Sequence, residues 1–399
     1  MRDEQRKIDR REFLRWGLTG LGAATLSGWA EEVWGQIGGR VGKLPKRRYG
    51  RTGLDISVIV GAATWPEQLV PLALQAGVNY WHKAQQWRTL PEALRRLPRE
   101  SYYLECVVDR VGGTHETGRI DEESHYRFVK ECIRRSEVGY FDVFKFHFGY
   151  HAVQEAKTEL GMVRAFERLK KEGLVKHLAI SQHSYTHLPG GQPNYEILEY
   201  LITKTPYEAA QFFYTYGDRK EVEEVIALAK KHNFGTIAMK TLGGVGRASR
   251  DPNFMAKVPP GTSPAAAVIR WVASNPNLTA LVVELKNVQQ LEEDLGALRT
   301  AFSPQDGEML RLLAAYNQGA ICLLCDACVS RCPEHIAVAE ILRYERYAQD
   351  YGEVALARRL YGELPVKASS CLACGACLEV CPANIPIPQK LDETHRLLG

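Results

Sequence analysis

Between residues 46 and 301 short apolar runs alternate with longer stretches whose apolar positions recur every three to four residues. The runs are 56–63, 78–84, 102–108, 142–148, 176–181, 208–213, 235–240 and 278–284, and each predicts a strand. Amphipathic stretches such as 122–135, 163–171, 219–231 and 264–273 lie between them and predict helices. Eight strand–helix repeats in one domain-sized segment predict a (β/α)8 barrel, an α/β fold with its site at the strand ends. Residues 304–317 predict a helix leading out of the barrel. The expected division is 1–30 a leader, 31–45 a linker, 46–301 the barrel, 302–319 a connection and 320–399 a second, mostly helical domain.

Cysteine changes this picture most. Eight of the ten cysteines fall in two runs of one spacing: Cys322, Cys325, Cys328 and Cys332 before Pro333, and Cys371, Cys374, Cys377 and Cys381 before Pro382. C-x2-C-x2-C-x3-C-P is the bacterial spacing for a cubane cluster, so two runs imply two 4Fe-4S clusters and electron transfer. Because the fourth cysteine of each run ligates the other cluster in such domains, the expected sets are Cys322, Cys325, Cys328, Cys381 and Cys371, Cys374, Cys377, Cys332. A disulfide framework needs no repeated spacing, and structural zinc usually draws its thiolates from two separate pairs. The 38 residues between the runs carry an amphipathic centre at 339–361, which predicts a helical dicluster module rather than a compact ferredoxin hairpin. Cys106 and Cys132 lie in an apolar run and on a predicted helix, and are expected to be buried and inert.

Composition adds bounds. With 45% hydrophobic and 25% charged residues, the chain can bury a large core, and a net charge of +4 without a basic stripe gives no support for nucleic-acid binding. A small-molecule substrate and a redox partner protein fit better. At the N-terminus, Arg10-Arg11-Glu12-Phe13-Leu14-Arg15 precedes an uncharged stretch ending at Ala30, before Glu31 and Glu32. It resembles a twin-arginine export signal, which implies the twin-arginine translocase as a transient partner and a periplasmic or otherwise exported location. A short amphipathic helix behind basic residues is the alternative.

The barrel segment carries further motifs: RYGRTGLDIS at Arg48 to Ser57, LKKEGLVK at Leu169 to Lys176 with Ile180-Ser181 beyond it, and Ser263-Pro264 followed by Ile269-Arg270-Trp271-Val272. These resemble the aldo-keto reductase family over residues 46–301. IAMKTLGG at Ile237 to Gly244 is similar to the branch that carries a C-terminal cluster domain. The resemblance implies hydride transfer between NADP and a carbonyl, with a tyrosine acid assisted by lysine, histidine and aspartate. Departures are evident. His82-Lys83-Ala84 and then Trp87 stand where that family has aspartate-threonine-alanine and the tyrosine, and an indole has no proton to give. The third strand lacks its lysine. His147 alone keeps its family position.

The resemblance also assigns Ser181 and Gln211 to the nicotinamide carboxamide, with Gln182 where asparagine is usual. Glu284 replaces a glycine in the phosphate turn, opposing a phosphate by charge and bulk. Lys286, Glu293 and Asp294 remain for the adenosine end. His82, Lys83 and Trp87 are expected on the rim with His147, and Lys240 and His183 beyond nearby strands, as a basic and aromatic pocket. His115, His151, His183 and His187 lie in loop-like surroundings and are expected to be solvated. Three readings follow: an iron-sulfur oxidoreductase using His147, His82 and Lys83 at the rim, an electron-transfer or docking subunit with a degenerate barrel, and a conventional NADPH-dependent carbonyl reductase.

Overall fold

The computed structural model describes residues 23–399 except 187, 189, 217–219 and 325–326. A hairpin opens the barrel, β1 (Lys46–Arg48) pairing antiparallel with β2 (Asp55–Ser57). Its turn lies flat against the barrel floor, where a Cβ on Gly50, at φ 53°, would stand 2.0 Å from the Gly235 nitrogen. Tyr49 plugs the floor, fully buried and edge-on to Tyr80 at 5.7 Å. The run 56–63 therefore divides: its start closes the hairpin and the rest begins the barrel.

Eight parallel strands follow: β3 (Ile59–Ala62), β4 (Tyr80–His82), β5 (Tyr103–Val108), β6 (Phe141–Phe146), β7 (Val175–Ser181), β8 (Ala209–Phe213), β9 (Gly235–Met239) and β10 (Ala280–Val282). They close in the order β10-β3-β4-β5-β6-β7-β8-β9, one strand in each predicted run. The period-two alternation of a strand sorts their side chains. Tyr80, Val143, Ala179 and Ala209 fill the barrel, whereas Trp81, Phe144, Ile180 and Ala210 pack outward under the helices. Cys106 and Cys132 are both buried in that outer shell, with free thiols.

Several helix starts are set by short polar side chains. Asp121 accepts from the Ser124 amide at helix Glu122–Ser136, Ser263 from the Ala266 amide ahead of Pro264, and Ser303 and Asp306 form a capping box at helix Pro304–Asn317. Each such cap is worth about 1 kcal/mol.

The N-terminal helix, Ala23–Val41, lies against helices Leu69–Gln75 and Val288–Gly296. Ala30, Val33, Ile37 and Val41 recur at helical spacing and are buried there, and Arg40 pairs with Glu292. Residues 31–41, expected as linker, are thus a clamped part of the barrel's outer layer, and the expected boundary after Ala30 falls inside this helix. Residues 1–22, which hold the arginine pair, lie outside the described residues. No helix among the described residues is long and apolar enough to cross a membrane.

Helix Pro304–Asn317 packs on helix Pro264–Ser274, where Arg270 Nε donates to Asp306 Oδ2 at 2.9 Å. Beyond it come two cysteine loops and the helices Val338–Gln349, Val354–Glu363 and Ile387–Leu398. The amphipathic centre 339–361 is therefore two helices, broken where Gly352 turns the chain at φ 73°. Helix Val338–Gln349 is buried almost all round. Val338, Ile341, Leu342 and Tyr344 join the core of the cysteine module, while Arg343 and Tyr347 reach the mouth of the barrel.

Candidate functional site

Above the apolar floor, His82, Glu105, Lys145, Ser181, Gln211 and Met239 are linked in one interior layer. The Glu105 carboxylate accepts from Tyr80 Oη at 2.5 Å, pairs with Lys145 Nζ at 2.8 Å and meets His82 Nδ1. Lys145 also donates to Gln211 Oε1 at 2.6 Å and lies 3.0 Å from His82 Nδ1. Burial would raise the Glu105 carboxyl, but the Lys145 ammonium and hydrogen bonds from His82 and Lys145 hold it well below the carboxylate range. Burial brings Lys145 down to about 8 against the pull of Glu105, and burial together with Lys145 lowers His82 to about 3. At neutral pH the layer holds an ion pair and a neutral imidazole, sealed from water.

Two sequence expectations change here. His82 sits below the rim, tied into the ion pair. Trp87 packs against Trp81 at 5.6 Å in the shell outside the strands, so it does not occupy a proton donor's place in the barrel. The third strand has no lysine, as expected, and Lys145 from β6 is the one that meets Glu105 from β5. Both are charges at inward positions, one residue out of phase with the outward Asp142 of β6, and that alternation is the signal that would have found them.

At the mouth, His147 Nδ1 and Asp109 Oδ1 are 2.6 Å apart, and the ring lies on Phe148. Burial lowers His147 to about 4 even beside Asp109, so the ring is neutral, donates through Nδ1 and leaves Nε2 as an acceptor. Lys83 and Lys240 end β4 and β9 in left-handed backbone, φ 57° and 59°, strain of order 1 kcal/mol or more each. Burial and then Lys240 lower the Lys83 pKa.

The cysteine module completes this mouth. Lys240 Nζ donates to Tyr347 Oη at 3.1 Å and lies 4.7 Å from its ring centre. Arg343 Nη1 contacts His183 Nδ1 at 3.1 Å. A Cβ on Gly243 would meet Arg346 Nη2 at 2.9 Å, so the glycine admits the guanidinium. Lys286 Nζ reaches the Tyr351 carbonyl at 3.3 Å, and Arg250 Nη1 the Asp350 carbonyl at 3.0 Å. His183 is buried, not solvated. His115 stacks on Phe148 at 4.3 Å, and its carbonyl contacts His151 Nε2 at 3.1 Å, so neither ring is in open solvent. His187 lies outside the described residues.

The side chains assigned to a nicotinamide are engaged elsewhere. Ser181 Oγ points to Met239 Sδ at 3.9 Å, while Gln211 accepts from Lys145 and approaches the same sulfur through Nε2 at 3.4 Å. Gln182 accepts from the Tyr150 amide at 3.1 Å and donates to the Tyr150 and His183 carbonyls at 2.8 and 2.6 Å. Glu284 is exposed and accepts from Thr64 Oγ1 at 3.0 Å, and partial burial of its carboxyl raises its pKa. These groups are turned to protein partners, and Lys286 to the cysteine module.

The cysteines gather into two cradles. Cys332, Cys371, Cys374 and Cys377 line one cavity with Ile336, Val338 and Leu391. Cys322, Cys328 and Cys381 line the other with Val338, Leu342 and Ile385, and Cys325 lies outside the described residues. No group of three or more His, Cys, Asp or Glu among the described residues converges on a point as for a single ion. Thiols spread around an apolar cavity are what the larger cubane needs. Leu324 and Ala373 occupy the same place in each run, in left-handed backbone that turns their amides to Cys322 Sγ at 3.3 Å and Cys371 Sγ at 3.4 Å. Such amides favour thiolate and tune a bound cluster. The residues fit the group.

An eight-stranded parallel barrel whose mouth is covered by a module with two cysteine cradles defines an iron-sulfur oxidoreductase. Residues 67–314 match the aldo/keto reductase family and residues 321–385 the 4Fe-4S dicluster domain. The chain belongs to the aldo/keto reductase family. A solved aldo-keto reductase from Bacillus halodurans is 18% identical in its holo form, covers 68% of this chain with 96% of its own, and superposes with a TM-score of 0.53. Its apo form, with the same identity and coverage, gives 0.50. At that identity the likeness shows the fold. No curated protein matches the chain.

Proposed function

We propose that the chain is an oxidoreductase whose substrate sits at the barrel mouth, between His147, Lys83 and Lys240 of the barrel and helix Val338–Gln349 of the cysteine module. When bound, the clusters supply one-electron transfer. One observation carries this reading: the same helix lines both cradles, through Val338 and Leu342, and touches the mouth, through Arg343 and Tyr347. His147 offers Nε2 as an acceptor toward a substrate, and the lysines favour an oxygen that gains negative charge. Such a substrate is a small carbonyl-type molecule. A redox partner protein would meet the cradle of Cys332, Cys371, Cys374 and Cys377, where Cys374, Leu372 and Leu378 are exposed.

Export by the twin-arginine route belongs to the same proposal and rests on Arg10 and Arg11. Folded export suits a protein that receives clusters before leaving the cytoplasm. Arg10→Lys with Arg11→Lys should hold the protein in the cytoplasm, and continued export removes this part.

Anaerobic titration of the cluster-loaded protein with NADPH tests the whole. The expected result is no saturable binding and no carbonyl turnover from NADPH. Tight binding with turnover would return the chain to conventional carbonyl reduction. The committed amides of Gln182 and Gln211 also favour a second reading, a docking subunit without chemistry. A loaded protein that a partner reduces reversibly, while no small carbonyl reoxidises it, would select that one.

A further inference from the structure

The histidines at the barrel mouth and just beneath it hold no spare proton at neutral pH. His147 is lowered to about 4 and His82 to about 3 by burial first, and His183 lies well below its usual range, through burial and then Arg343. Lys145 is closed beneath them in its ion pair. A substrate oxygen that becomes negative at this mouth therefore needs a donor other than these histidines.

We infer that Tyr347, carried over the barrel mouth by the cysteine module and hydrogen-bonded to Lys240, is the proton donor of an active site that neither domain completes alone. The inference rests on the proposed function above. Its geometry comes from both domains. Lys240 leaves β9 in left-handed backbone and places its ammonium 3.1 Å from the phenol oxygen. Tyr347 is half-buried beside Lys240 at the strand ends, where the proposed substrate would lie. The other charges facing it are Arg343 and Arg346 on its own helix and Lys83 at the end of β4. Arg343 lies 5.9 Å from its ring centre, Arg346 is paired with Asp350, and Tyr344 and Tyr351 flank it at 6.1 Å each. Every cation favours phenolate, the form left after donation.

Burial alone would raise the phenol, but Lys240, Arg343, a hydrogen bond from Lys240, and Arg346 outweigh it and bring its pKa down to about 7. A donor is most effective when its pKa lies near the working pH. The step is a proton transfer: the Tyr347 O–H bond breaks, an O–H bond forms on the substrate's oxyanion, and the phenolate stays against Lys240. Water restores the proton. The ligand class is a small quinone-type carbonyl compound, which two electrons passed through the clusters reduce and whose oxygens take up both protons, one from Tyr347 and one from water.

The test is an ultraviolet difference titration of full-length, cluster-loaded protein, wild type minus Tyr347→Phe, so that cluster absorbance cancels. The expected result is one phenolate appearing near neutral pH, absent in Tyr347→Phe and moved up by about 1–3 units in Lys240→Gln. Ionisation of every tyrosine only near the ordinary value of about 10 overturns the inference. A second measurement excludes a merely structural tyrosine. Reoxidation of the chemically reduced protein by a water-soluble quinone, whose oxygens take up protons, should fall about a hundredfold in Tyr347→Phe, while reoxidation by ferricyanide, which takes up none, is unchanged. Equal effects on both oxidants, or none on either, overturn the donor role. If wild type is not reoxidised by the quinone at all, the proposed function fails, and the phenolate titration still decides Tyr347.

Discussion

Arg343 of the cysteine module and His183 at the barrel mouth meet through Nη1 and Nδ1, 3.1 Å apart, and since arginine only donates, the imidazole must accept as a neutral ring. The contact fixes one tautomer and ties the domains by a bond that acid would break. Burial first, and Arg343 next, keep the His183 pKa well below its usual range.

That relationship sets the direction of the acid response. His147 titrates at about 4 and His82 at about 3 when folded, against about 6.5 in an unfolded chain. As pH falls below about 6.5 the unfolded chain takes up protons before the folded one, so stability falls with pH until about 4. His147 alone should account for a loss on the order of 2–3 kcal/mol across that window. Urea midpoints of the loaded protein, followed by tryptophan fluorescence at several pH values, should decline accordingly, and the decline should be shallower in His147→Gln. A flat profile would contradict the buried, neutral histidines.

Lys145 and Glu105 make a second prediction. Both are fully buried and pair at 2.8 Å, so removing one leaves the other charged in a dry interior. Lys145→Met should cost about 3–5 kcal/mol, whereas Lys145→Met with Glu105→Gln should recover most of that loss. Denaturant unfolding of the two variants decides it: equal losses would mean that packing around Lys145, rather than its charge, is what matters.

The strand runs were readable because a parallel barrel buries each strand on both faces and so leaves near-continuous apolar segments. Where the period-two alternation was interrupted by Glu105 and Lys145, the same logic held the buried pair, but only register says that the two charges face each other. His82 could be placed on a strand, not at a depth within the barrel, and the one-residue difference between rim and interior decides whether a histidine meets substrate or an ion pair. Tyr347 and Arg343 were beyond reach for another reason. They sit far along the chain on an amphipathic helix, and nothing local says that its polar side lies against barrel strand ends. The cysteine runs stood out because cluster ligation fixes their spacing.

The N-terminal helix offers a third prediction. Ile37 is buried between helix Ala23–Val41 and the barrel, one of four apolar residues on that face. Ile37→Asp would bury a carboxylate with no cation placed for it, at a cost of at least about 2 kcal/mol, or else release the helix. Thermal unfolding should occur at lower temperature, and hydrogen exchange along Ala23–Val41 should accelerate while the barrel strands stay protected. Unchanged exchange would mean that the helix is held by other contacts, of which the Arg40–Glu292 pair is the first to test.

The cradles give the last prediction. Cys371 lines one cradle with Cys332, Cys374 and Cys377, and receives the Ala373 amide at 3.4 Å. Cys371→Ser should lower iron to about half, because the other cradle keeps its own thiolates. Ligation is also folding energy, so the loss should reach further than the loop. Val338 lines both cradles and starts the helix that places Arg343 on His183 and Tyr347 on Lys240. Faster hydrogen exchange along Val338–Gln349 in Cys371→Ser, beyond the loop itself, is therefore expected. Full iron content would show that the ligand sets are assigned wrongly, and half iron with an unmoved helix would show that the mouth is held by the barrel contacts alone.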